Sequence, residues 1–369
     1  MGNSGQPNRI YLNQRFVDAN LTSFVPLNWP VAAADTRSVA WGDYDGDGDL
    51  DAPVATGGGQ DDVLLRNDGG GLLTKLVLSG TGGASQGAAW GDYDNDGDLD
   101  AIVTNSGVED EYLLRNDGAG VLTKVVLAGT GGDSRHVDWG DYDNDGDLDA
   151  LIANHDDPDD VVLRNDGGGV FIKVVLTGSG GSSVGAAWGD YDGDGDLDAL
   201  FGNRLGQNEV LMRNDGGGAF TKLTLPTGGD SDGVAWTDFD ADGDQDAIVA
   251  NSGGEDEFLL RNDGGGILTK VVLTGTGGSS IHPAWGDLDG DGDLDAVVVN
   301  DGNGPQHYLL RNEGGGVLAK FAMRGALSNA NAVALADVDG DGDLDALVAN
   351  SNGEDELLLR NDISTPNPA

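Results

Sequence analysis

The sequence predicts an all-β chain folded as a seven-bladed β-propeller of four-stranded antiparallel blades. Three observations carry that prediction. A unit of 48 to 50 residues returns seven times, marked by Trp41, Trp90, Trp139, Trp188, Trp236 and Trp285, with Leu335 in the seventh place. Each unit holds four short apolar segments separated by Gly, Asp and Asn, which is the pattern of strands and turns. None of those segments has the length or the 3.6-residue period of a helix.

The second unit shows the elements in order: Gly87 to Gly91, Leu99 to Thr104, Glu111 to Arg115, and Val121 to Leu127. The third segment runs into Asn116-Asp117-Gly118, a sequence suited to a tight turn with positive φ, so the unit is an antiparallel meander. Seven such sheets fit radial packing, in which each blade covers its neighbour's apolar face. A linear solenoid would need polar end caps, and the terminal copies show none. The whole chain, 1–369, reads as one propeller domain with units at 37–78, 86–127, 135–176, 184–225, 232–273, 281–322 and 331–362. The last unit stops before a fourth strand. Residues 8–21 look like two further strands, and Phe16 to Leu21 is expected to complete the last blade and close the ring.

With Gly 64 and Asp+Glu 65 against Lys+Arg 19, the formal charge is -46. Such a surface repels nucleic acid and anionic membranes, and it repels itself unless cations are bound. The absence of cysteine removes disulfides and thiolate metal sites. No apolar run reaches membrane-spanning length, and the first residues, MGNSGQPNRIYLN, do not read as a signal peptide.

The acids concentrate in one loop per unit, D-x-D-x-D-G-x-x-D, as in Asp43-Tyr-Asp45-Gly-Asp47-Gly48-Asp49-Leu-Asp51. Calcium takes six to eight oxygens. Positions one, three, five and nine supply carboxylates, and the carbonyl of position seven supplies a further oxygen. The same places are filled by Asp92, Asp94, Asp96, Asp98 and Asp100; by Asp141, Asp143, Asp145, Asp147 and Asp149; and by Asp190, Asp192, Asp194, Asp196 and Asp198. They return as Asp238, Asp240, Asp242, Asp244 and Asp246; as Asp287, Asp289, Asp291, Asp293 and Asp295; and as Asp337, Asp339, Asp341, Asp343 and Asp345. Gly48 permits the sharp turn. This is no EF-hand: Val54 stands where the twelfth-position glutamate belongs, so Asp51 is expected to supply the bidentate contact. Magnesium prefers fewer carboxylates and keeps its waters. About seven Ca2+ ions per chain are expected, with a structural role, leaving a charge of about -32.

These units resemble FG-GAP/VCBS repeats, the calcium-binding propeller repeats of integrin α-subunit heads and bacterial surface proteins. WGDYDNDGDLDAIVTN followed by YLLRND is similar to the ASPIC/UnbV-like variety, and the resemblance covers Asn8 to Asp362. It implies a seven-bladed propeller, calcium in the loops, and secreted or cell-surface use in adhesion, ligand binding or carbohydrate recognition. Gln245 and Leu335 depart from the pattern without removing a ligand.

Comparison between copies separates shared from variable positions. Arg66 and its counterparts recur before an Asn, and Lys75 and its counterparts recur in the fourth segment. They read as holding acidic turns, and the tryptophans as packing between blades. Variation gathers in the link between second and third segments, from GGGQDD to SNGEDE. It also gathers where the first segment begins, at Arg37, Gln86, Arg135, His136, Asp232, His282 and Asn331. Both regions emerge opposite the metal loops, which makes that face the candidate ligand surface. The four histidines are scattered, and no nucleophile motif or phosphate loop is present. The expected function is therefore a non-enzymatic extracellular recognition or adhesion module for a protein or glycan. A calcium-dependent lectin and a structural or designed scaffold are the alternatives.

Overall fold

The short apolar runs become seven four-stranded sheets. The computed structural model describes residues 24–26, 35–118, 120–156, 159–302, 307–323, 329–351 and 356–361. The third blade stands for the others: Ser134–Gly140, Asp149–Asn154, Val161–Asn165 and Phe171–Val175 pair in chain order, all antiparallel. A one-residue bulge at Arg135, between the Ser134 and His136 pairings, recurs at the same place in every blade. The second strand is buried at every position because neighbouring blades cover both of its faces. The fourth strand is mostly exposed, as an outer edge must be.

The core lies between blades. Tyr93, Ile102 and Leu113 of blade two pack on Val137, Ala150 and Ile152 of blade three. Ala332, Val338 and Leu347 of blade seven pack in the same way on Val39, Val54 and Leu65 of blade one. Burying one such Leu or Ile side chain contributes about 1.5–3 kcal/mol. The first strand of each blade touches the first strands of both neighbours all the way round, so these strands line the axis of a closed ring. Closure removes the exposed ends that a solenoid would have to cap.

The ring is latched where the last blade lacks its fourth strand. Phe24–Pro26 supplies it, with Phe24 opposite Asn361 and Pro26 opposite Leu359. This latch lies later in the chain than the expected Phe16–Leu21, and residues 8–21 fall outside those described. Pro26 obscured the strand, since proline ordinarily argues against one. An outermost strand is where a sheet tolerates proline.

Three sets of hydrogen bonds tie blades together, the second of them made only by Trp41, Trp139 and Trp236. The Asn that ends the third strand donates from Nδ2 to the carbonyl of loop position two in the preceding blade: Asn116 to Tyr44, Asn165 to Tyr93 and Asn214 to Tyr142, each at 2.7 Å. Asn67 makes the same bond to Val338 at 2.9 Å, across the closing seam. The indole N–H of Trp139 donates to the Ala89 carbonyl at 3.2 Å, and that of Trp41 to the Ala334 carbonyl at 3.3 Å. Trp188 lies nearly parallel to Tyr142, 5.7 Å away, so the tryptophans do pack between blades. Gly140 makes room for this, because a Cβ there would meet Trp188 and Leu197 at 2.7 Å.

The third set corrects the reading of the second-to-third link as a variable surface. The last residue of each link is buried and bonds the first strand of the following blade. Glu111 accepts from Ser134, Asp160 from Ser183 at 3.1 Å, and Glu356 from Thr36 at 2.6 Å across the seam. In blade six the acid is replaced by His307, and its serine partner by Ala330. There His307 Nδ1 accepts the N–H of Asn300 at 3.0 Å.

Candidate metal centres

Each aspartate loop links the first and second strands of a blade and wraps tightly enough for its carboxylates to bond its own backbone. Asp43 accepts the N–H of Asp47 at 3.1 Å and of Gly48 at 3.0 Å, and Asp47 accepts that of Asp49 at 3.0 Å. Wrapping requires left-handed backbone at two places. Position six is glycine in all seven loops, with φ between 94° and 97°. Position four has φ from 58° to 75° and is Gly or Asn except for Ala241. Asn and Gly occupy that region readily, and alanine does so at a cost of about 1–2 kcal/mol.

Position nine is the most deeply placed. Asp51 has 0% of its surface exposed; Oδ1 accepts the N–H of Asn67 at 2.8 Å, and Oδ2 accepts that of Tyr44 at 3.3 Å. Asp149 repeats this with Asn165 at 2.8 Å and Tyr142 at 3.2 Å. The residue thus fastens the loop to the third strand as well as facing the other carboxylates. Burial pushes the Asp51, Asp100, Asp149, Asp198 and Asp246 carboxyls up to about 7, against the opposing pull of those N–H bonds.

Position three tests whether a cation fits. In six loops its Oδ1 is buried and has no donor: Asp45, Asp94, Asp143, Asp192, Asp240 and Asp289. Burial and then the charge of neighbouring Asp47 raise the Asp45 carboxyl. A buried carboxylate oxygen without a donor, beside other carboxylates, is costly unless a cation meets it. Ligand oxygens of Asp43, Asp45 and Asp51 lie within 4.8 Å of one another, as do those of Asp92, Asp94 and Asp96, and those of Asp141, Asp143 and Asp149. The donor set is all oxygen and carboxylate-rich, which suits a hard divalent ion. Asp166, in the turn after the third strand, joins Asp143 and Asp145 in a further group that the loop motif does not reveal.

Position seven does not turn its side chain to its own cluster in the two loops where its partner is defined. Asp147 and Asp196 accept from Asn95 and Asn144 of the preceding loop, each at 2.8 Å. The recurrent arginines hold the turn acids as expected: Arg66 meets Asp68, and Arg115 meets Asp117, at 2.9 Å. The lysines differ from expectation. Lys173 and Lys320 donate to carbonyls of the glycine turns between blades, Thr130 at 2.9 Å and Gly275 at 3.0 Å. Lys124 and Lys320 also lie 4.0 Å from the ring centroids of Tyr112 and Tyr308.

The residues of the candidate ligand face are dispersed. Arg37 and Arg135 pair with Asp35 at 2.6 Å and Asp133 at 2.9 Å, each two residues away. Gln86 donates to Ser106 Oγ at 3.2 Å, and Asn331 donates across the seam to the Thr36 carbonyl at 2.6 Å. Asp232 is buried in contact with Arg204. Only His136 and His282 come together, stacked across the axis with ring centroids 5.8 Å apart.

That stack has a pH consequence. Burial lowers the His136 imidazole to about 4, and burial followed by the charge of His136 lowers His282 to about 3. The unfolded chain therefore takes up these protons first, near the ordinary value of 6.5. Their contribution to stability is complete above that value and is lost as pH falls toward the folded values. His136→Gln/His282→Gln is expected to lose roughly 4 kcal/mol less than the parent between pH 6.5 and 4.5, about 2 for each imidazole, read from urea midpoints. Equal losses in both proteins would remove the stack from the account.

Residues 141–201, 238–298 and 287–348 match the family model of the FG-GAP-like repeat. That repeat is structural, and the protein is a non-enzymatic propeller. No curated protein matches the chain. Among solved structures it is similar to BBS1N in complex with ARL6DN, with a TM-score of 0.62, 13% identity, and coverage of 92% of this chain and 97% of that one. It is also similar to an Agrocybe aegerita lectin that recognises non-reducing terminal N-acetylglucosamine, with a TM-score of 0.56, 18% identity, and coverage of 93% and 95%. At these identities the likeness shows the propeller fold alone. No helix among the described residues is long and apolar enough to cross a membrane.

Proposed function

We propose that the protein is a calcium-held propeller acting outside the cell or on its surface as a recognition or adhesion module. The position-three carboxylate oxygens carry the calcium part: six are buried without a donor, each among further carboxylates. About seven Ca2+ ions would neutralise these sites and close the loop of every blade. Recognition then falls to the face opposite the loops, where the chain differs from blade to blade around Arg37, Gln86 and Arg135. The partner is a protein or a glycan, and the charge of -46 disfavours nucleic acid.

A lectin is the second reading, favoured by near-identical blades that would create near-identical pockets between them. The calcium-loaded protein, labelled and applied to a broad glycan array and to whole bacterial and animal cells, separates the two. Retention on cells that chelator abolishes and free sugars do not compete away is the expected result. Sugar-competed binding to defined glycans would move the assignment to the lectin. Retention unchanged by chelator would contradict the calcium-held module.

A further inference from the structure

The seven loops differ at position two, and an arginine follows that difference. The residue is Tyr44, Tyr93, Tyr142, Tyr191 and Phe239 in the first five blades, then Leu288 and Val338 in the last two. In blades one, three and four the tyrosine hydroxyl is close enough to the arginine of its own third strand for the two to interact, as Tyr44 does with Arg66. In all of the first five blades that arginine pairs with the turn acid two residues on and stays at the rim, its side chain 34–41% exposed.

Blades six and seven depart from this in depth, although Arg311 keeps its pair with Glu313 two residues on. With Leu288 in place of the ring, Arg311 sinks to 14% exposure, lies 5.2 Å from the centroid of Phe321, and comes within 3.8 Å of Asp289 at loop position three. With Val338, Arg360 forms an ion pair directly with Asp339, whose side chain is only 4% exposed. Asp339 Oδ1 accepts the N–H of Asp341 at 3.3 Å, and the guanidinium meets Oδ2. The guanidinium stands against the carboxylate that faces a candidate ion site in the other loops.

We infer that the seven loops form two classes, and that the aromatic residue at position two keeps the arginine off the metal site in the first five. In blades six and seven the ion competes with Arg311 and Arg360 for Asp289 and Asp339. This rests on the calcium reading and adds to it a graded response. Two ions bind more weakly than the other five, and they belong to the blade beside the seam and the blade that closes it. Falling calcium therefore empties the closing end of the ring first, while the guanidinium replaces the lost charge and holds those loops shut.

Titration of the calcium-loaded chain with a chromophoric calcium chelator counts the ions released against free calcium, with near-ultraviolet circular dichroism reporting the fold. Two ions are expected to leave at free calcium roughly tenfold or more above that which empties the other five, the scale of a charged hydrogen bond that the ion must displace. Arg311→Ala/Arg360→Ala should bring these two into line with the rest, and Leu288→Tyr/Val338→Tyr should do the same with both arginines retained. Seven ions leaving together from the parent, or earlier release from both double variants, would overturn the inference while leaving the calcium reading intact. A chain that carries no calcium at the outset would overturn both.

Discussion

Asp149→Ala is expected to destabilise the calcium-loaded protein by roughly 3–6 kcal/mol, the largest effect of any single substitution considered. The side chain is fully buried and accepts two backbone N–H groups, from Asn165 at 2.8 Å and Tyr142 at 3.2 Å. Removing it leaves both donors buried without a partner, at about 1–3 kcal/mol each. It also takes a carboxylate from the group formed with Asp141 and Asp143, so the ion of that blade is weakened at the same time. The two contributions separate in chelator, where only the hydrogen-bond part remains. Asp149→Asn tests the division from the other side, since it keeps one acceptor oxygen but removes the charge. It should cost stability in calcium and much less in chelator. Urea midpoints for the three proteins under both conditions decide the matter, and a cost for Asp149→Ala below about 1 kcal/mol in calcium would show that position nine is not the fastening described here.

Chelation is the second large effect. A site held at 100 times its dissociation constant stabilises the fold by about 2.7 kcal/mol, so seven together supply on the order of 19 kcal/mol. That exceeds the usual net stability of about 5–15 kcal/mol for a folded domain. Excess chelator at neutral pH is therefore expected to lower the melting temperature by more than about 15 °C, restored by calcium and only weakly by magnesium. The physical source is the position-three oxygens, which are buried beside like charges and have no donor of their own. Melting temperatures unmoved by chelator would mean that these carboxylates are tolerated without an ion.

Much of this was readable from the chain because it depends on regular spacing. The loops, the four strands of each blade and the tryptophans between blades all recur at a fixed period. A period survives without knowledge of the fold. What escaped depends on contacts between blades. Asn116, Asn165 and Asn214 were visible as an Arg-Asn repeat, but their partner is the carbonyl of a residue 72 positions earlier. The acid that ends each link looked like part of a variable loop because it alternates between Asp and Glu. Its constancy lies in the serine or threonine it bonds in the following blade, and the exchange of Glu and Ser for His307 and Ala330 is the trace that could have exposed the pairing. The latch was hidden by Pro26, whose effect on a strand depends on whether the strand is central or outermost. Position two looked like an ordinary alternation of Tyr, Phe, Leu and Val. Its meaning appears only once the arginine beside it is placed.

Loops that hold the ring as ion sites must carry their ions in the folded chain. Native mass spectrometry of the folded chain, equilibrated with saturating calcium and then freed of unbound salt, counts the ions directly. Close to seven per chain are expected. One or two, with the fold intact, would contradict that role of the loops.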